Sequence, residues 1–108
     1  MKPLDEIKPQ QSLELLKELH ILTRDGKINQ DSRRKLKQVY HLYQFIEPIL
    51  TEVSRDGLPF HLIDHGSGKS YLGFILYDLF IKLTQGRVTS IEINEKLVNQ
   101  AEALAKKL

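Results

Sequence analysis

Asp64, Gly66, Gly68 and Glu92 are the residues of this chain whose types and spacing could do chemistry. The first three sit in His61-Leu-Ile-Asp-His-Gly-Ser-Gly-Lys-Ser-Tyr-Leu72: an apolar run, an acidic residue, a glycine-rich turn, then helix-compatible sequence. In that order a strand aims the turn, and the glycines remove the Cβ atoms that would hold a ligand off the backbone. The following helix start offers unpaired N–H groups. His65 and Ser67 fill the variable places of D-x-G-x-G. Glu92 closes the next strand-like stretch, which a parallel sheet would bring beside the loop. A carboxylate there can accept two hydrogen bonds from the vicinal hydroxyls of a ribose. Asp64, His65, Gly66, Ser67, Gly68 and Glu92 are therefore the candidate binding residues, for a ligand carrying adenosine.

The elements that must position them follow from periodicity. Residues 1–9, with Pro3 and Pro9, read as a loose lead-in. Gln10 to Leu22 carries leucines at helical spacing, and Thr23-Arg-Asp-Gly-Lys27 is a turn. A second helix is expected from an Asp31 cap to about Val53, its stripe being Leu36, Val39/Tyr40, Tyr43, Ile46 and Ile49/Leu50. Pro48 should kink or shorten it, because proline lacks the backbone donor. Residues 54–59 are a linker. Phe60–Ile63 reads as a buried parallel strand. Lys69–Leu83 reads as a helix stopped by Gln85-Gly86, Arg87–Ile93 as a strand, and Asn94 as the cap of a last helix. The expected fold class is α/β: a helical lead-in over residues 1–55, then a partial Rossmann-like β-α-β-α unit over 56–108, an incomplete doubly wound sheet.

Other chemistries are disfavoured. Gly68-Lys69-Ser70 could end a phosphate-binding P-loop, but that motif requires a glycine where Ile63 stands. His20, His41, His61 and His65 lack the spacing of a metal site, and no metal is expected. There is no cysteine, hence no thiolate nucleophile and no disulfide. No apolar run approaches the roughly 20 residues of a membrane span, and no secretory leader is evident, so a cytoplasmic protein is expected. Net charge is only +2, which demands no polyanionic partner. Arg33, Arg34, Lys35 and Lys37 nevertheless form a basic cluster that could meet RNA phosphates.

The loop and Glu92 together resemble motifs I and II of class I S-adenosylmethionine-dependent methyltransferases. Asp25-Gly-Lys27, Arg33-Arg-Lys-Leu-Lys-Gln38 and Asp64-x-Gly66-x-Gly68-Lys69-Ser-Tyr-Leu72 are similar to a branch whose loop commonly reads D-x-G-x-G-K-G-Y-L. Ser70 stands at that branch's third glycine. The resemblance implies that Asp64, Gly66 and Gly68 line the methionine and ribose side of S-adenosylmethionine and that Glu92 holds the ribose hydroxyls. It also implies about seven strands in a full domain, so the chain reads as the donor-site half, with a C-terminal half elsewhere and no catalytic base that can be named. An open sheet edge is expected to drive self-association, as a dimer or higher. The competing expectation is a non-catalytic dimerisation or interaction module that retains a remnant of the fold.

Overall fold

The computed structural model describes residues 7–107. Residues 1–6, most of the expected lead-in, lie outside the described residues. Helix α1 spans Leu13–Glu18 and is capped by Ser12, whose hydroxyl accepts from the Leu15 N–H at 3.2 Å. It is shorter than the leucine spacing predicts because His20 turns left-handed (φ 62°). The Ile21 N–H then donates to the Leu16 carbonyl (2.9 Å) and the His20 N–H to that of Lys17 (3.0 Å). That pair of bonds closes a helix end, and its left-handed residue is usually glycine. His20→Gly removes the Cβ penalty and is expected to raise the unfolding free energy by about 0.5–1 kcal/mol, read from the midpoint of a urea melt.

Helix α2, Gln30–Ser54, starts one residue before the expected Asp31, because Asn29 is the cap and accepts from the Ser32 N–H at 2.8 Å. Asp31 lies in the first turn, paired with Lys35 (3.3 Å) and Arg34 (3.6 Å). A negative charge there complements the helix dipole. Pro48 does not shorten the helix, which runs on through Val53 to Ser54. The buried stripe of Leu36, Val39, Tyr43 and Leu50 extends past the proline and holds the last turns in place.

Strand β1 (Phe60–His65), helix α3 (Tyr71–Leu79), a 3₁₀ turn (Ile81–Leu83), strand β2 (Gly86–Ile91) and helix α4 (Glu95–Ala105) complete the chain in the expected β-α-β-α order. The strands pair in parallel, in register from Phe60 opposite Gly86 to His65 opposite Ile91. The fold is thus α/β, a helical N-terminal part followed by two parallel strands in an open sheet.

Several expected boundaries move for local reasons. Helix α3 begins at Tyr71 rather than Lys69 because Ser70 is left-handed (φ 63°), and it ends at Leu79 because Phe80 leaves helical geometry. Leu83, the last residue of the expected helix, is 81% exposed, while Ile81 takes the core position. Gly86 is the first residue of β2, not a helix stop; the Phe60 ring lies across it where a Cβ would project. Strand β1 is not buried on both faces. Phe60, Leu62 and Asp64 are half-buried, whereas His61, Ile63 and His65 are exposed.

One core joins the two halves. Leu15, Leu16, Leu36 and Leu50 from α1 and α2 cluster with Ile75, Leu76 and Ile81 from the second half. Beside them, Asp78 of α3 is a buried carboxylate that gathers the start of the helical part. Its Oδ2 accepts from the Ser12 N–H (2.6 Å) and the Gln11 side-chain amide, and its Oδ1 from Lys82 Nζ (2.7 Å). Gln11 accepts in turn from the Tyr40 hydroxyl (3.1 Å), whose pKa burial pushes up.

Candidate functional site

Three backbone reversals shape the turn between β1 and α3: Gly66 (φ 64°), Gly68 (φ 58°) and Ser70 (φ 63°). An L side chain rarely adopts that region, so the turn selects glycine by conformation. A Cβ built on Gly66 or Gly68 would meet no protein atom within 4 Å. No packing contact therefore demands glycine at either place, and the space above the turn stays open. Ser70 keeps the third reversal with a side chain and is buried, its hydroxyl donating to that of Ser67 at 3.2 Å. The Ser67 N–H ties the turn to the Ile91 carbonyl of β2 (3.0 Å), and the Ser70 N–H closes the turn on the Ser67 carbonyl (2.8 Å).

Glu92 follows directly on β2 and closes the arrangement. Its Oε1 accepts from the Gly68 N–H at 2.7 Å, and its Oε2 from the Asn94 N–H at 3.0 Å. Asn94 is the cap of α4, accepting from the Leu97 N–H at 3.2 Å. One carboxylate therefore links the glycine turn to the start of the next helix. The Asn94 and Gly68 N–H groups hold the Glu92 pKa below its ordinary value, because they stabilise the charged form. A carboxylate has about four lone-pair positions, so accepting capacity remains on Glu92 beyond these bonds.

A cleft of about 520 Å³ opens between α3, β2 and α4, with Ser67, Gly68 and Glu92 at one end and Phe74, Val88 and Val98 among its apolar walls. That volume lies within the roughly 300–1,000 Å³ of small-ligand sites. Gly73 lets α3 lie close to the sheet. A Cβ on it would come within 3.1 Å of the Ser90 hydroxyl and 3.4 Å of Val88.

The six sequence-derived candidates divide in space. Ser67, Gly68 and Glu92 line the cleft. Gly66 shapes the turn from its exposed side. Asp64 lies at the end of β1 on the half-buried face, and burial pushes its pKa up, partly offset by the nearby His65. His65 belongs to the exposed face of the strand. The cleft walls Gly73, Val88 and Ser90 were not singled out in the sequence. A glycine inside a helical stretch directly after the loop was the available signal, since it marks close helix–sheet approach. Among the described residues no group of three or more His, Asp or Glu side chains could hold a metal ion, and no helix is long and apolar enough to cross a membrane.

A family model described as a methyltransferase domain matches residues 34–108. No curated protein and no solved structure matches the chain.

Proposed function

Because this chain belongs to that methyltransferase-domain family, we propose that the glycine turn and Glu92 bind S-adenosylmethionine as methyl donor. The observation that carries the reading is the Glu92 carboxylate. It is fixed by the Gly68 and Asn94 N–H groups at the carboxyl ends of two parallel strands, with accepting capacity to spare at the mouth of the cleft.

The residues present fit such a group. Open space over Gly66 and Gly68 admits a ligand against the backbone, where a side chain would intrude. Glu92 would hold the ribose hydroxyls, and Ser67 and Gly68 would face the ligand from the turn. Asp64, by resemblance, would lie toward the methionine end. When bound, the cofactor supplies an electrophilic sulfonium methyl. The chain's contribution is to fix the donor's orientation, which lowers the barrier by removing the entropy of alignment. Phe74, Val88 and Val98 give the cleft apolar walls.

The test is calorimetric titration of the chain with S-adenosylmethionine and S-adenosylhomocysteine, alongside Gly68→Val. Binding in the micromolar range by the parent, lost at least tenfold in Gly68→Val, is the expected result. The valine forces a β-branched residue into a left-handed conformation and fills the space over the turn. A parent that gives no heat and no thermal shift with either ligand overturns the reading.

A further inference from the structure

A second cleft, of about 620 Å³, lies behind the first, between the C-terminal end of α1, the start of α3 and the length of α4. The two share a wall: Phe74, Leu97 and Ala101 line both. The glycine turn and the turn before α4 border both as well. Ser67, Gly68 and Glu92 face the first cleft, and the adjacent Lys69 and Asn94 face the second.

The second cleft is basic where the first is not. Lys69, Lys96 and Lys107 line it with His20, against a single carboxylate, Glu18, which is engaged by Lys107 at 3.2 Å. Lys69 and Lys96 are exposed and form no ion pair among the described residues. The charge continues beyond the cleft. Tyr71, also in its lining, has Lys35 Nζ 5.7 Å from its ring centroid, and Lys35, which pairs with Asp31, belongs to the basic cluster opening α2. A chain with a net charge of only +2 thus collects cations on one side, beside the candidate donor site.

We propose that this cleft binds the phosphate backbone of a single-stranded RNA, which is the acceptor class for the methyl transfer; the second clause rests on the donor-site reading above. Well-separated lysines on long stems suit a run of phosphates rather than one cradled anion.

Fluorescence anisotropy with a labelled 12-nucleotide single-stranded RNA tests this on the full chain at 50 and 200 mM salt. Neutralising about three phosphates gives a slope near −2 in log–log form, so affinity should fall about ten- to twentyfold between the two salts. The double variant Lys69→Glu/Lys96→Glu should bind at least tenfold more weakly at 50 mM. Arg55→Glu, about 30 Å along α2 from Lys35, serves as the single-charge control and should change affinity less than threefold. Circular dichroism verifies that both variants fold. No anisotropy change at 50 mM, or equal loss in the double variant and the control, overturns the proposal, as does tighter binding of an acidic phosphopeptide than of RNA. Titrating the double variant with S-adenosylmethionine separates the two readings. Retained cofactor binding with lost RNA binding supports both, and RNA binding without any cofactor binding leaves the surface standing while the donor site falls.

Discussion

Asp78→Ala should lower the unfolding free energy by about 3 kcal/mol, the largest loss expected of any polar substitution in this chain. The carboxylate is 6% exposed and serves three donors, Ser12 N–H, the Gln11 amide and Lys82. Alanine leaves the first two without an acceptor in a partly dry place, at about 1–3 kcal/mol for each orphaned group. Since a domain of this size is stable by only about 5–15 kcal/mol, the drop should be plain in a urea melt followed by circular dichroism. Asp78→Asn keeps one oxygen acceptor and should lose less. Lys82→Ala should lose less than Asp78→Ala, because the Lys82 side chain is 40% exposed and the carboxylate keeps its two other donors. An alanine variant within 0.5 kcal/mol of the parent would show that the Ser12 and Gln11 bonds do not hold the start of α1 to α3.

This network also marks where sequence reading stopped. Periodicity located each helix and both strands, because the stripe of α2 and the apolar runs around β1 and β2 are local patterns. The D-x-G-x-G turn was legible for the same reason: its residue types are dictated by backbone angles that nearby residues set. Asp78 was not legible. It is an acidic residue in a helix, a type usually solvated, and its partners Gln11 and Ser12 lie 67 and 66 residues away. Nothing in a one-dimensional pattern announces such a contact. The end of α1 is hidden similarly, since His20 adopts a left-handed angle that favours glycine and gives no signal by type; Ser70 does the same, and only its place at the resembling branch's third glycine points to it. The stripe of α2 places Tyr40 and Tyr43 on the core side, and Tyr43 is buried; the bond from the Tyr40 hydroxyl to Gln11 has no counterpart in that periodicity.

Glu92→Ala should abolish measurable S-adenosylmethionine binding, a loss of at least thirtyfold, while leaving the fold intact. Two effects combine. The proposed ribose acceptor disappears, and the Gly68 and Asn94 N–H groups lose the oxygens that fix them. Glu92→Gln separates the two: its carbonyl oxygen can still accept from one N–H, so it should bind more weakly than the parent but better than alanine. The pH dependence has a definite sign. Both N–H donors favour the charged carboxylate, so its folded pKa lies below the ordinary value of 4.5. The contribution of Glu92 to turn geometry is fully present above that ordinary value and is lost only as pH falls through the lowered one. Binding measured from pH 7.5 down to pH 5 should therefore show no step from Glu92. A step within that range, present in the parent and absent in Glu92→Gln, would contradict the geometry described here.

The shared core of α1, α2 and α3 separates two notions of a unit. The region held in common with the family begins at residue 34, inside α2. The packing does not respect that boundary. Leu15 and Leu16 precede it and are fully buried against residues that follow it, and Asp78 reaches back across it to residues 11 and 12. What was inherited together and what must fold together are consequently different lengths of chain. The glycine turn is carried by the inherited stretch, but helix α3, which anchors that turn, is seated on residues outside it. A change near the N-terminus can therefore reach the site without touching it, by loosening the floor on which α3 stands.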